Sequence, residues 1–187
     1  SGAVLTTAEA VEGCGRITID ESYEADVVLS DAALGVAILR PRMPLAPLRV
    51  AAFQEVTPRL LSDVAVAGYS YGGLLGAPTV TFGQLAELEG LNGETHLKRL
   101  VLAALDGDAG GPVLDAGGAV LGMLLTRAQD GRALPEEVSF AATNGALQDV
   151  LTRGGITPRL TSDQGRLSAE ALTDRAGDMT VLVSCWE

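Results

Sequence analysis

The chain has 187 residues, 24 acidic against 13 basic side chains for a formal charge of −11, and 47% hydrophobic residues of which few are aromatic. That length suits one domain or two small subdomains sharing an interface, and the apolar share is enough to build a core, which excludes global disorder. With this acidic balance and no Lys/Arg-rich run, nucleic acid is excluded as a partner and anionic membrane surfaces are disfavoured, because both need clustered positive charge.

In chain order, short apolar runs bounded by Gly, Pro, Asp or Asn predict strands at Val4–Thr7, Arg16–Ile19, Ala25–Leu29, Val36–Leu39 and Leu48–Ala51. Further strands are predicted at Val64–Ala67, Thr79–Phe82, Pro112–Leu114, Ala119–Leu125 and Val138–Ala141. Runs this short with turn signals this frequent point to an all-β sandwich or barrel. Asp115-Ala116-Gly117-Gly118 reads as a tight hairpin turn. Helical periodicity holds over Asn144–Thr152, where Leu147, Val150 and Leu151 share a face, Asn144 caps the start and Gly154-Gly155 ends it. Thr157–Asp178 is more polar, with a short helix expected around Ser168–Thr173 and a final strand over Met179–Trp186.

The longest uncharged stretch, Val64 to Ala86, is interrupted by Gly68, Gly72, Gly73, Gly76, Pro78 and Gly83, so no membrane insertion is expected. A single histidine, His96, two cysteines, and no HExxH or CxxC leave little material for a metal site, and no cofactor is expected. Cys14 and Cys185 either bridge the two ends of the chain or stand as two separate thiols. Ser1-Gly2 opens straight into an apolar run, as a mature or excised fragment would.

Two motifs bear on chemistry. Gly68-Tyr69-Ser70-Tyr71-Gly72 matches the GxSxG nucleophile elbow, which makes Ser70 a candidate nucleophile with His96 as its base. The context argues against that reading, since the elbow leads into a helix whereas Gly72-Gly73 leads into Leu-Leu-Gly-Ala-Pro and an apolar β run. A glycine-rich loop between strands fits better. The second motif, Asp106-Gly107-Asp108-Ala109-Gly110-Gly111-Pro112-Val113, is followed by a hairpin and an apolar strand. It resembles the GDSGGPV segment of trypsin-like, chymotrypsin-fold serine proteases of the bacterial branch. Val4–Val11 is similar to the family's VLTAAHVV and Asp31–Arg40 to its DPALDLALLR. Val66–Phe82 resembles its interdomain stretch, Val138–Ala142 its VSFAIP, and Asn144–Thr152 its C-terminal helix. The resemblance spans roughly residues 3–155.

It implies an all-β fold of two Greek-key barrels with a C-terminal helix and an extra C-terminal strand. The expected divisions are an N-terminal barrel over 1–62 lacking its first strand, a C-terminal barrel plus helix over 63–157, and a tail over 158–187. The tail is expected to pack back on the N-terminal barrel at the vacant edge, pinned by a Cys14–Cys185 bridge. Carried across by position, the family's general-base histidine falls on Glu9, its orienting aspartate on Gly35 and its nucleophilic serine on Ala109. All three are replaced, which points to natural decay or repurposing, since a knock-out changes the serine alone. Serine chemistry needs a hydroxyl, an imidazole and a carboxylate that fixes its tautomer, so no catalysis is expected.

Main-chain donors survive such losses, and the N–H groups of Gly107 and Ala109 match the family's oxyanion hole. The old specificity pocket falls on Ala103, with Val138, Ser139, Phe140 and Ala141 as the edge strand, either open to an added peptide strand or itself buried. Nothing charged stands there, so a small apolar side chain is the most it takes. Together these imply a pseudoprotease with a binding or scaffolding role, its peptide or protein ligand in the former substrate cleft; the alternatives are a hydrolase using Ser70 and a purely structural domain with an occluded cleft. The expected setting is a larger secreted or periplasmic bacterial protein.

Overall fold

A computed structural model of the protein describes residues 2–127 and 134–187. Its strands are β1 (Val4–Thr7), β2 (Arg16–Ile19), β3 (Tyr23–Asp31), β4 (Val36–Pro41), β5 (Ala52–Gln54), β6 (Asp63–Gly68) and β7 (Thr79–Glu87). They continue with β8 (Leu97–Val101), β9 (Pro112–Leu114), β10 (Val120–Leu124) and β11 (Val138–Thr143), then helix α1 (Asn144–Arg153), β12 (Arg159–Thr161), helix α2 (Ala169–Met179) and β13 (Val183–Trp186). The fold is mostly β, with one closed six-strand barrel and one curled half-barrel sheet, the chymotrypsin-like arrangement.

The half-barrel runs in the order β1-β4-β3-β2-β13. Its inner face is Ile17, Ile19, Ala25 and Leu39, with Val4, Val11, Val181 and Val183 packed on it. Every second residue of β2 therefore points inward, as the two-residue period of a strand requires. The second barrel closes because β11 pairs with β8 along Val138–Ala142 and with β10 at Ala141–Thr143. In β6, Val64 and Val66 fill this barrel's interior with Leu85, Leu100, Leu121 and Leu124. The alternate residues Ala65 and Ala67 face outward into a cluster holding Val36, Ile38, Leu147, Val150 and Leu172. That second cluster joins the two sheets through α1 and α2. Burial of this kind contributes about 25 cal/mol per Å² of apolar surface, so it binds the halves into one unit.

Several features differ from the sequence reading, among them the final strand, which begins at Val183 and not at Met179. No strand forms at Leu48–Ala51; the strand is β5, which begins directly after it, and it pairs in parallel with β10 and β12. Strand β8 was not expected, because Lys98 and Arg99 break its apolar run. The helix expected at Ser168–Thr173 extends to Met179, capped by the Ser168 hydroxyl, which accepts from the Ala171 N–H.

The tail over 158–187 also divides instead of lying wholly on the N-terminal barrel. Strand β12 extends the second sheet and α2 packs on β6 and β7, while β13 alone joins the first sheet, antiparallel to β2. Cys14 and Cys185 are joined, with their Cα atoms 5.3 Å apart across a sequence separation of 171. Trp186 donates its indole N–H to Thr18 at 2.8 Å and lies under the Arg16 guanidinium, 5.0 Å from the ring centroid.

Candidate functional site

The loop between β8 and β9 is fixed by groups that crowd it from both sides. Gly107 has φ +93, and a Cβ there would collide with the Tyr69 carbonyl; one on Gly111 would collide with the Ala67 carbonyl. Gly107 therefore needs glycine for conformation and space, and Gly111 for space alone. Asp108 is 1% exposed. Its Oδ1 accepts the Ser70 hydroxyl at 2.6 Å and its Oδ2 accepts the Leu105 N–H at 2.9 Å. Ser70 Oγ also lies 2.5 Å from Thr79 Oγ1, and the Tyr71 N–H reaches the Asp106 carbonyl at 2.7 Å. A buried carboxylate is costly unless several donors meet it, and this network supplies them.

That geometry gives Ser70 its role. It is 1% exposed with its hydroxyl engaged by Asp108 and Thr79, and the 3₁₀ turn it opens, Ser70–Gly73, leads into strand β7 and not into a helix. Among the described residues no imidazole is hydrogen-bonded to it; His96 takes part through its carbonyl, which accepts the Thr143 N–H. The GYSYG segment braces the loop beside it.

The three positions matched to a triad lie at the junction of the sheets. Glu9 is exposed in the 3₁₀ turn Glu9–Val11 that follows β1. The neighbouring Ala8 N–H donates to the Gly35 carbonyl at 3.0 Å. Gly35 adopts φ +77, a backbone conformation suited to glycine, so the position cannot simply regain a side chain without strain. A Cβ on Gly110 would stand 3.2 Å from Thr6 Oγ1 and 3.4 Å from the Thr7 nitrogen, so Ala109 is carried against the end of β1. The turn before Gly35 is held by Asp31, which accepts the Leu34 N–H at 3.0 Å and pairs with Arg153 of α1. The Arg153 hydrogen bond, helped by Leu34, holds the Asp31 carboxyl below the usual carboxylate range.

The loop also presents main-chain donors. The Asp108, Gly110 and Gly111 N–H groups are used within the fold, by the carbonyls of Leu105, Leu124 and Asp108. Those of Gly107 and Ala109 donate to no acceptor among the described residues. A cavity of about 940 Å³ borders this loop, lined among others by Thr6, Ala109, Gly110, Tyr69 and Leu182. Burial, with the Asp20 charge adding to it, raises the pKa of Tyr69 at its wall.

The expected binding edge falls in β11. Val138, Ser139, Phe140 and Ala141 lie in β11, which pairs with β8 over Val138–Ala142, whereas β10 flanks it only at Ala141–Thr143. The Ser139 hydroxyl donates to the Leu102 carbonyl at 2.8 Å, and Arg127 covers the carbonyls of Pro135, Glu136 and Val138. Neither these residues nor Ala103, exposed after β8, line the cavity. Among the described residues no group of three or more His, Cys, Asp or Glu side chains is placed to hold a metal ion. No described helix is long and apolar enough to cross a membrane.

Comparison with known proteins gives the same fold. The model of the trypsin-like peptidase domain family matches residues 1–123. The serine protease Rv3671c of Mycobacterium tuberculosis is 33% identical over 165 residues, covering 82% of this chain and 40% of that protein. An uncharacterised protein of Sinorhizobium fredii is 28% identical over 98% of this chain, which is 30% of its own length. The chain thus spans less than half of these curated relatives. The structure of the active form of the Rv3671c protease superposes with a TM-score of 0.65 at 28% identity, covering 86% of this chain and 72% of that one. A serine endoprotease from Yersinia pestis, 21% identical, shares the fold with a TM-score of 0.64 over 82% of this chain and 53% of its own.

Proposed function

The chain belongs to the trypsin-like peptidase family, and from that premise we propose that it is a member that binds without cutting. The observation that carries this reading is Ala109: it occupies the nucleophile's position in a loop whose buried Asp108–Ser70–Thr79 bracing is complete. A methyl group cannot attack a carbonyl, and Glu9 and Gly35 supply neither an imidazole nor the carboxylate that would orient one. The unengaged N–H groups of Gly107 and Ala109 support retention of a peptide carbonyl or carboxylate, because such donors stabilise charge on oxygen whether or not a bond is then broken. The cavity beside them has the size of a ligand site. A peptide or protein segment is the proposed ligand, held in the former cleft.

The bridge between Cys14 and Cys185 supports an oxidising setting, the periplasm or outside the cell, and the share of its relatives that the chain covers, 30% and 40%, supports a place within a larger protein. The test is incubation of the folded protein with a mixed peptide library, analysed by mass spectrometry for both retention and cleavage. Peptides retained with intact backbones are the expected result. Time-dependent cleavage fragments that follow the protein through purification would refute the proposal.

A further inference from the structure

A second cavity, of about 250 Å³, lies apart from the cleft and shares no lining residue with it. Gln54 and Glu55 border it from the end of β5, Lys98 from β8, and Thr143, Asn144 and Gly145 from the start of α1. Lys98 is 8% exposed. Its Nζ gives one hydrogen bond to the Leu121 carbonyl at 2.7 Å, where an ammonium has three to give. Among the described residues no carboxylate lies within ion-pair distance of it. A buried cation without a counter-charge is costly in free energy.

Asn144 presents the opposite need. Its Nδ2 donates to the carbonyls of Val120 at 2.8 Å and Gln54 at 2.9 Å. Two carbonyls on the same nitrogen fix which way the amide faces, and Oδ1 is left buried with no donor. Both lysine and asparagine serve the irregular point of β10, where register against β9 shifts between Val120 and Gly122. The first turn of α1 adds N–H groups that have no partner within the helix. Of these the Thr143 hydroxyl accepts only that of Ala146, at 3.4 Å.

One cavity therefore holds a cation lacking an anion, helix-terminal donors, and a buried acceptor lacking a donor. We propose that it binds a small oxyanion that carries its own O–H, the class of hydrogen phosphate and bicarbonate. The anionic oxygens accept from Lys98 and the helix terminus, where the aligned peptide dipoles favour negative charge. The O–H donates to Asn144 Oδ1, which rejects an anion with no proton to offer. Glu55, the one carboxylate on the lining, is exposed, and its charge favours a ligand of low negative charge. At roughly 30 Å³ for a water in the liquid, the volume admits a ligand of several heavy atoms. Burial holds the Lys98 pKa down to about 8, as expected of a cation whose counter-ion is missing.

The test compares inorganic phosphate with sulfate, which match in shape and differ in the proton, by amide NMR of the intact protein near neutral pH at equal ionic strength. Phosphate is expected to shift the Lys98, Asn144 and Gly145 resonances saturably at millimolar concentration. Sulfate is expected to bind roughly tenfold more weakly or worse, the scale of leaving one buried acceptor unpaired. Lys98→Met removes the phosphate response; the phosphate–sulfate contrast in the unaltered protein stands by itself if that variant does not fold. No saturable response to phosphate, or an equal response to both anions, overturns the assignment.

Discussion

In the second barrel six strands, β6 to β11, meet edge to edge through the β10–β11 pairing, whereas the first sheet stops at five and takes its outermost strand, β13, from the far end of the chain. The two halves of the cleft inherit this difference. Gly107, Asp108 and Ala109 hang from the closed barrel and are braced by a neighbouring loop through buried hydrogen bonds. Glu9 and Gly35 belong to the open sheet, whose last strand is tethered by a bridge spanning 171 residues of sequence. A closed barrel removes its edges by construction, while an open sheet has to cover or tie them. The half of the site that keeps its main-chain donors is the half with local support.

The bridge is the strongest lever on that asymmetry. Reduction, or Cys185→Ser, is expected to cost on the order of 4 kcal/mol by loss of the long covalent loop. The cost should fall unevenly: hydrogen exchange of β2 and β13 rises sharply while that of β6 to β11 changes little. Equal loss of protection in both sheets would show that the bridge supports the molecule as a whole and not its open half.

The closed barrel carries an internal cost of its own in Lys98. Its folded pKa, about 8, lies below the ordinary 10.5, so the unfolded chain binds the proton more tightly. The penalty is complete below about pH 8 and fades as the pH climbs towards 10.5. Measured against Lys98→Met by urea denaturation, stability is expected to rise by up to about 3 kcal/mol across that window. A flat difference between the two proteins would mean that the ammonium is already compensated.

A smaller effect, about 2 kcal/mol, is expected for Ser70→Ala, which leaves buried Asp108 short of a donor. Its sharper readout is local: the amides of Leu105 to Gly111 should lose exchange protection while the open sheet keeps its own. A change below a few tenths of a kcal/mol in chemical denaturation would contradict the bracing role given to Ser70.

What sequence could reveal follows from how local each feature is. The turn at Asp115–Gly118 was legible because it closes on itself, Asp115 Oδ1 accepting the N–H groups of Gly117 and Ala119, both at 2.9 Å. Helix α1 was legible because its apolar residues repeat at helical spacing. Strand β8 was not, since Lys98 looks like a solvated charge until the fold turns it inward. The part played by Ser70 was hidden for a different reason: its partner Asp108 is 38 residues away, and a motif describes only its neighbours. Likewise the alternation in Val138–Ala141 announces a strand without saying how many strands flank it. Glu9, Gly35 and Ala109 were found through family resemblance, and no periodicity would have selected them.

The reading that the cleft is assembled but lacks its reagents is tested most directly by a fluorophosphonate probe, with peptide mapping of any adduct. No adduct on the folded protein, with Ser70 and every other serine unmodified, is the predicted result. Stoichiometric labelling of a serine, lost on denaturation, would contradict it.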